Sequence, residues 1–104
     1  MKFYKHLYIS KTIKNPNLVK WKLRIKNDLL GIFVISIATG SDQLEIYDAA
    51  FLNQKLHRKL WPPYIIGLTT TQEEAMNMVG QIAAECYEAT GTAKIKDYLL
   101  GLDK

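Results

Sequence analysis

The segment that most restricts the fold is Ile32-Phe33-Val34-Ile35-Ser36-Ile37-Ala38, which is apolar on both alternating sets of positions and rich in β-branched residues. A strand sends successive side chains to opposite sides, so a stretch of this kind is stable only where both sides are covered. Gly31 precedes it and Thr39-Gly40-Ser41-Asp42 ends it, which predicts a strand with apolar cover above and below.

Two further strands are read before it. From Phe3 to Ile13, the residues Phe3, Leu7, Ile9 and Ile13 share one parity, and Tyr4, His6, Tyr8 and Ser10 take the other. This period of two fits a half-buried strand, and Asn15-Pro16-Asn17 breaks it with turn chemistry. Then Val19, Trp21, Leu23 and Ile25 alternate with Lys20, Lys22, Arg24 and Lys26. The pattern predicts a strand with one buried face and one cationic face.

The second half reads as helix, strand and helix. Ala49, Leu52, Leu56 and Leu60 repeat at helical spacing behind Asp48, a candidate N-cap, which predicts a helix over about 48–60. The preceding Leu44-Glu45-Ile46-Tyr47 fits either the start of that helix or a short extended segment. Trp61-Pro62-Pro63 stops the helix, and Tyr64 to Thr69 is a short strand. Thr71 and Glu74 form a capping box that opens a long helix with Ala75, Met76, Val79, Ile82, Ala83, Cys86 and Tyr87 on its apolar face, closed by Gly91. A last helix over about 93–100 packs Ile95, Tyr98 and Leu99. The predicted order is β-β-β-α-β-α-α. It implies one α+β domain over 1–104, two-layered, with an antiparallel three-stranded meander and a fourth strand delivered by a crossover.

Charge is the second constraint. Eight of the 14 basic residues (Lys2, Lys5, Lys11, Lys14, Lys20, Lys22, Arg24, Lys26) precede Asp28, and all 10 acidic residues lie from Asp28 onward, so the formal +4 is +8 set against −4. A field divided in this way attracts polyanions, acidic surfaces or the opposite end of a second copy. On the predicted second strand, Lys20, Lys22, Arg24 and Lys26 make a cationic row able to follow a phosphate backbone. Tyr4, His6 and Tyr8 on the same outer face would add rings for base stacking. The competing reading is a solvated face whose lysines blunt a sheet edge. A second cluster, Lys55, His57, Arg58 and Lys59, complements the dipole at the end of the predicted first helix.

Catalytic chemistry finds no foothold. His6, His57 and Cys86 lack metal-ligand spacing, so no metal site or cofactor is predicted. Cys86 lies on an apolar helical face and reads as a small buried hydrophobe. Glu45, Asp48 and Glu85 are not paired at a defined spacing, and at the turn before the long helix Glu73 and Glu74 already occupy the end that would attract an anion. No catalytic residues are assigned. A single cysteine excludes an intrachain disulfide, and the longest apolar run is too short to span a bilayer, so a soluble cytoplasmic protein with no membrane partner is expected.

Leu44-Glu45-Ile46-Tyr47 with Leu52 and Gln54, Tyr64-Ile65-Ile66-Gly67-Leu68 with Glu74-Ala75, and Tyr87 with Thr90-Gly91 together resemble a family of small uncharacterised bacterial proteins of anaerobic Gram-positive type. The resemblance covers about half the chain, carries no known activity and transfers no functional residue. The expectation is therefore a non-catalytic, self-associating binding or accessory domain, a homo-oligomer in which a second copy, or another partner, completes the cover of the doubly apolar third strand. The alternative is binding of nucleic acid or another polyanion, or of an acidic protein, through the basic row.

Overall fold

The computed structural model describes residues 2–25, 29–37, 43–52 and 64–102. Its elements are β1 (Lys2–Ile9), α1 (Pro16–Ile25), β2 (Phe33–Ile37), β3 (Leu44–Asp48), α2 (Ala49–Leu52), β4 (Tyr64–Thr69), α3 (Gln72–Thr90) and α4 (Ile95–Leu102). The class is α+β, but the order is β-α-β-β-α-β-α-α. The four strands form one mixed sheet in the order β1-β4-β2-β3. Only β2 and β3 are a consecutive antiparallel pair, and β1 runs parallel to β4, so the expected three-stranded meander is not formed.

The source of the difference is residues 16–25, which are helical where a strand was expected. Asn15 Oδ1 accepts from the Leu18 N–H at 3.2 Å, and Pro16 takes the first helical position, where its missing N–H costs nothing. Asn-Pro is thus a helix start and not merely a turn. Alternation over a short stretch is ambiguous, because residues four apart fall on one side of a helix. Val19 and Leu23 form one such pair and Trp21 and Ile25 another, about 200° round the helix from the first. Leu23 is fully buried, whereas Trp21 is 58% exposed.

This helix supplies what the central strand requires. On one face of the sheet, Val34, Ile65 and Leu68 pack with Leu23, Ile13, Leu29 and Ile32, flanked by Phe3, Leu7 and Val19. On the other, Ile35, Ile37 and Ile66 pack with Ala75, Ile82 and Cys86 of α3 and Ile95 and Leu99 of α4. The sheet therefore carries helices on both faces, not the single helical layer expected. Cover for both parities of β2 comes from within the chain, so the doubly apolar strand gives no reason to invoke a second copy.

Leu44 to Tyr47, which the sequence left open between helix and extended backbone, belongs to the strand Leu44–Asp48, and Asp48 Oδ1 accepts from the Ala50 N–H at 3.0 Å at the start of α2, as expected of an N-cap. The rest of the predicted 48–60 helix, with Lys55, His57, Arg58 and Lys59, lies outside the described residues. Thr71 caps α3 by accepting from the Glu74 N–H at 3.1 Å, and Gly91 (φ 70) closes it, donating to the Tyr87 carbonyl at 2.7 Å. On α3 the inward set is Ala75, Met78, Val79, Ile82, Ala83 and Cys86. Met76 and Tyr87, expected on that apolar face, point out, at 60% and 66% exposure.

Gly67 marks an irregularity in β4. Ile35 pairs with Gly67 and Ser36 with Ile65, so Ile66 is an extra residue that reverses the alternation and sends Ile65 and Leu68 to the same face. A side chain at Gly67 would lie 2.8 Å from Met78 Sδ, so its absence lets α3 settle onto the sheet.

Candidate functional site

The residues expected to form a polyanion site are separated by the sheet. Lys20 and Arg24, four apart on α1, both lie over the Phe3 ring of β1, with Lys20 Nζ at 5.9 Å and the Arg24 guanidinium carbon at 5.2 Å from its centroid. Each covers the ring with a cation, and the contact ties α1 to the sheet edge. Lys22 lies on the other flank of the helix, and Lys26 lies outside the described residues. The continuous pleated row of cations is therefore replaced by a helix whose charges straddle its outward face.

The three aromatics are on the opposite side. Tyr4 is 2% exposed within the α3–α4 core, its ring in contact with those of His6, Tyr8 and Tyr64 at centroid separations of 5.7, 6.5 and 6.2 Å. Tyr8 is half-buried, and its hydroxyl donates to Glu85 Oε2 at 2.9 Å. Burial, then the hydrogen bond to the Glu85 carboxylate and that group's charge, push the Tyr8 phenol well above its ordinary value. His6 is exposed. Parity explains the outcome: Tyr4, His6 and Tyr8 do share one side of β1, but Phe3 and Leu7 give the other side to α1. The rings and the cations therefore do not form one stacking surface.

Between the end of β1 and α3 lies an open groove of about 510 Å³, lined by Ser10, Lys11, Glu74, Asn77, Met78 and Gln81. Glu74 is its centre. Ser10 Oγ donates to Oε2 at 2.6 Å, Thr12 and Thr70 donate to Oε1 at 3.0 and 2.9 Å, and Thr71 donates to the same oxygen at 3.3 Å. These hydroxyls, Ser10 foremost and then Thr70 and Thr12, outweigh the desolvation of the carboxyl and lower it from 4.5 to about 2. A carboxylate with its lone pairs committed in this way is a fastener between β1 and α3. At neutral pH it has no proton to give as a general acid and little free basicity.

That arrangement has a measurable pH signature. The folded value lies below the unfolded one, so the stabilisation by Glu74 is fully present above about 4.5 and is lost as pH falls toward 2. In urea denaturation, Glu74→Gln is expected to be less stable than wild type at pH 7, with the gap closing between about pH 5 and pH 2. A gap that stays constant across that range would show that the charge of Glu74 is not what the hydroxyls hold.

Cys86 is buried, as expected, with Sγ 3.4 Å from the Thr92 carbonyl. Among the described residues, no three His, Cys, Asp or Glu side chains group where they could hold a metal ion, and no helix is long and apolar enough to cross a membrane.

The feature that sequence reading missed is the outward face of α1. Leu18, Trp21 and Ile25, at i, i+3 and i+7, are 43%, 58% and 46% exposed and form one apolar stripe. The signal was present in the alternation itself. Once the segment is a helix, a two-residue period makes two opposed apolar lines, and the core can take only one. No family model, curated protein or solved structure matches the chain.

Proposed function

We propose that the protein is a non-catalytic binding module that self-associates, with the outward stripe of α1 as its docking element. The observation that carries this reading is the exposure of Leu18, Trp21 and Ile25 along a helix whose other apolar side is already buried. Single exposed apolar residues are ordinary, but an indole and two aliphatic side chains aligned on one face form a patch of the kind that associates. Covering the exposed part of one indole, on the order of 100 Å², is worth about 2–3 kcal/mol. Association has its own entropic cost, so the stripe must be the centre of a larger contact of roughly 800 Å² per partner. The chemistry of the groove supports the absence of catalysis, since its carboxylate is committed to structure.

The expected result in sedimentation equilibrium is a mass above that of the monomer at high micromolar concentration. Trp21→Glu is expected to return the protein to monomer with an unchanged far-ultraviolet circular dichroism spectrum, because Trp21 contributes little to the core. Wild-type protein that stays monomeric throughout would overturn the reading.

A second reading is favoured by the absence of any acidic residue in α1, which carries Lys20, Lys22 and Arg24. A polyanion held by these three side chains would show log K falling against log salt with a slope near −2 for a single strand. Binding indifferent to salt would remove that reading.

A further inference from the structure

We infer that the surface received by the α1 stripe is the outward face of α3 on a second copy, so that the protein associates head to tail. The inference rests on the self-association proposed above and names its other half. On α3, the residues turned away from the sheet include Glu73, Met76, Gly80, Ala84, Tyr87 and Glu88. Met76 and Tyr87 are the large exposed apolar side chains of this helix, at 60% and 66% exposure. They flank Gly80, whose surroundings are open even to an added Cβ, so the face has two apolar walls and a low middle.

Charge selects this face. Helix α1 carries Lys20, Lys22 and Arg24 and no acid, while α3 carries no Lys or Arg and its outward side holds Glu73 and Glu88. Two α1 stripes meeting each other would bring like charges together around an apolar contact, and so would two α3 faces. An α1 stripe on an α3 face pairs opposite fields around the same kind of contact, and the indole of Trp21 has the shape to enter the low middle of α3. The two helices also cover opposite faces of the sheet, with α1 over Val34 and Ile65 and α3 over Ile35 and Ile66. Each copy therefore receives on one side and presents on the other. A contact of this type continues into an open chain of copies unless the rotation closes a ring.

Salt separates the arrangements without any substitution. Raising ionic strength from about 0.1 to 1 M shortens the screening length from ~10 to ~3 Å. The α1–α3 contact is expected to weaken over that range, whereas an α1–α1 contact would tighten as its repulsion is screened. The second arm uses two variants, Trp21→Glu to block the stripe and Met76→Lys with Tyr87→Lys to block the receiving face. All three positions are exposed, so the fold is retained. Each variant alone is expected to sediment as a monomer where wild type does not. An equimolar mixture is expected to form a dimer and nothing larger, since the pair retains one good stripe and one good face. A Met76→Lys, Tyr87→Lys protein that associates as wild type does, a mixture that stays monomeric, or association that tightens with salt would each overturn the inference while leaving self-association through α1 standing. A wild type that is monomeric at every concentration would remove both together.

Discussion

Leu23→Ala is expected to destabilise the protein by about 3–5 kcal/mol, while Trp21→Ala, two residues away, changes stability by less than about 0.5 kcal/mol. Leu23 is fully buried among Ile13, Leu29, Ile32, Val34 and Leu68, so truncation loses the transfer of its side chain and leaves a cavity that the β-branched neighbours cannot fill. Trp21 is more than half exposed, and alanine is the better helix former. The contrast tests the helical assignment of 16–25 directly. In a strand, Trp21 and Leu23 would share a face and both substitutions would be costly. For a domain of this size the Leu23→Ala effect is a fall in Tm well above 10 °C by calorimetry, measured at a concentration where Trp21→Ala and wild type are both monomeric. Equal and large losses at the two positions would show that the segment is extended.

Ile35→Ala and Ile65→Ala are each expected to cost about 2–5 kcal/mol in urea denaturation, although they face opposite sides of the sheet. Both side chains are fully buried, Ile35 against the α3–α4 layer and Ile65 against the α1 layer. A sheet with one solvated face would tolerate one of the two substitutions, since an isoleucine on a wet face has little transfer energy to lose. A near-neutral Ile65→Ala would mean that α1 does not cover the sheet, and the origin of the exposed stripe would fall with it. The substitution is the same in both cases, so the comparison is free of differences in side-chain chemistry.

Much of the second half was legible because its signals are local. Thr71 and Glu74 cap α3 through a hydrogen bond spanning one turn, Gly91 closes it in the left-handed region, and Tyr64 to Thr69 is a strand as its composition implies. The faces were less legible. Met76 and Met78 are equally apolar, and only the docking of α3 above Gly67 decides that Met78 goes inward and Met76 outward. The same limit left open which face Tyr4, His6 and Tyr8 would take: they share one side of β1, and it is not the side of the cations. Their position follows from which helix covers which face. The largest error, at 16–25, had a local remedy in Asn15-Pro16, which is a helix start as well as a turn.

From its residues alone, this chain commits itself to a strand covered on both sides, a capped long helix and a strong separation of charge along its length, because propensity, capping and charge act over a few neighbouring positions. Where the cations end up, and that an indole faces water beside them, was decided only when the sheet formed. An alternating segment that folds as a helix has two apolar sides, and the strands beneath it can bury one.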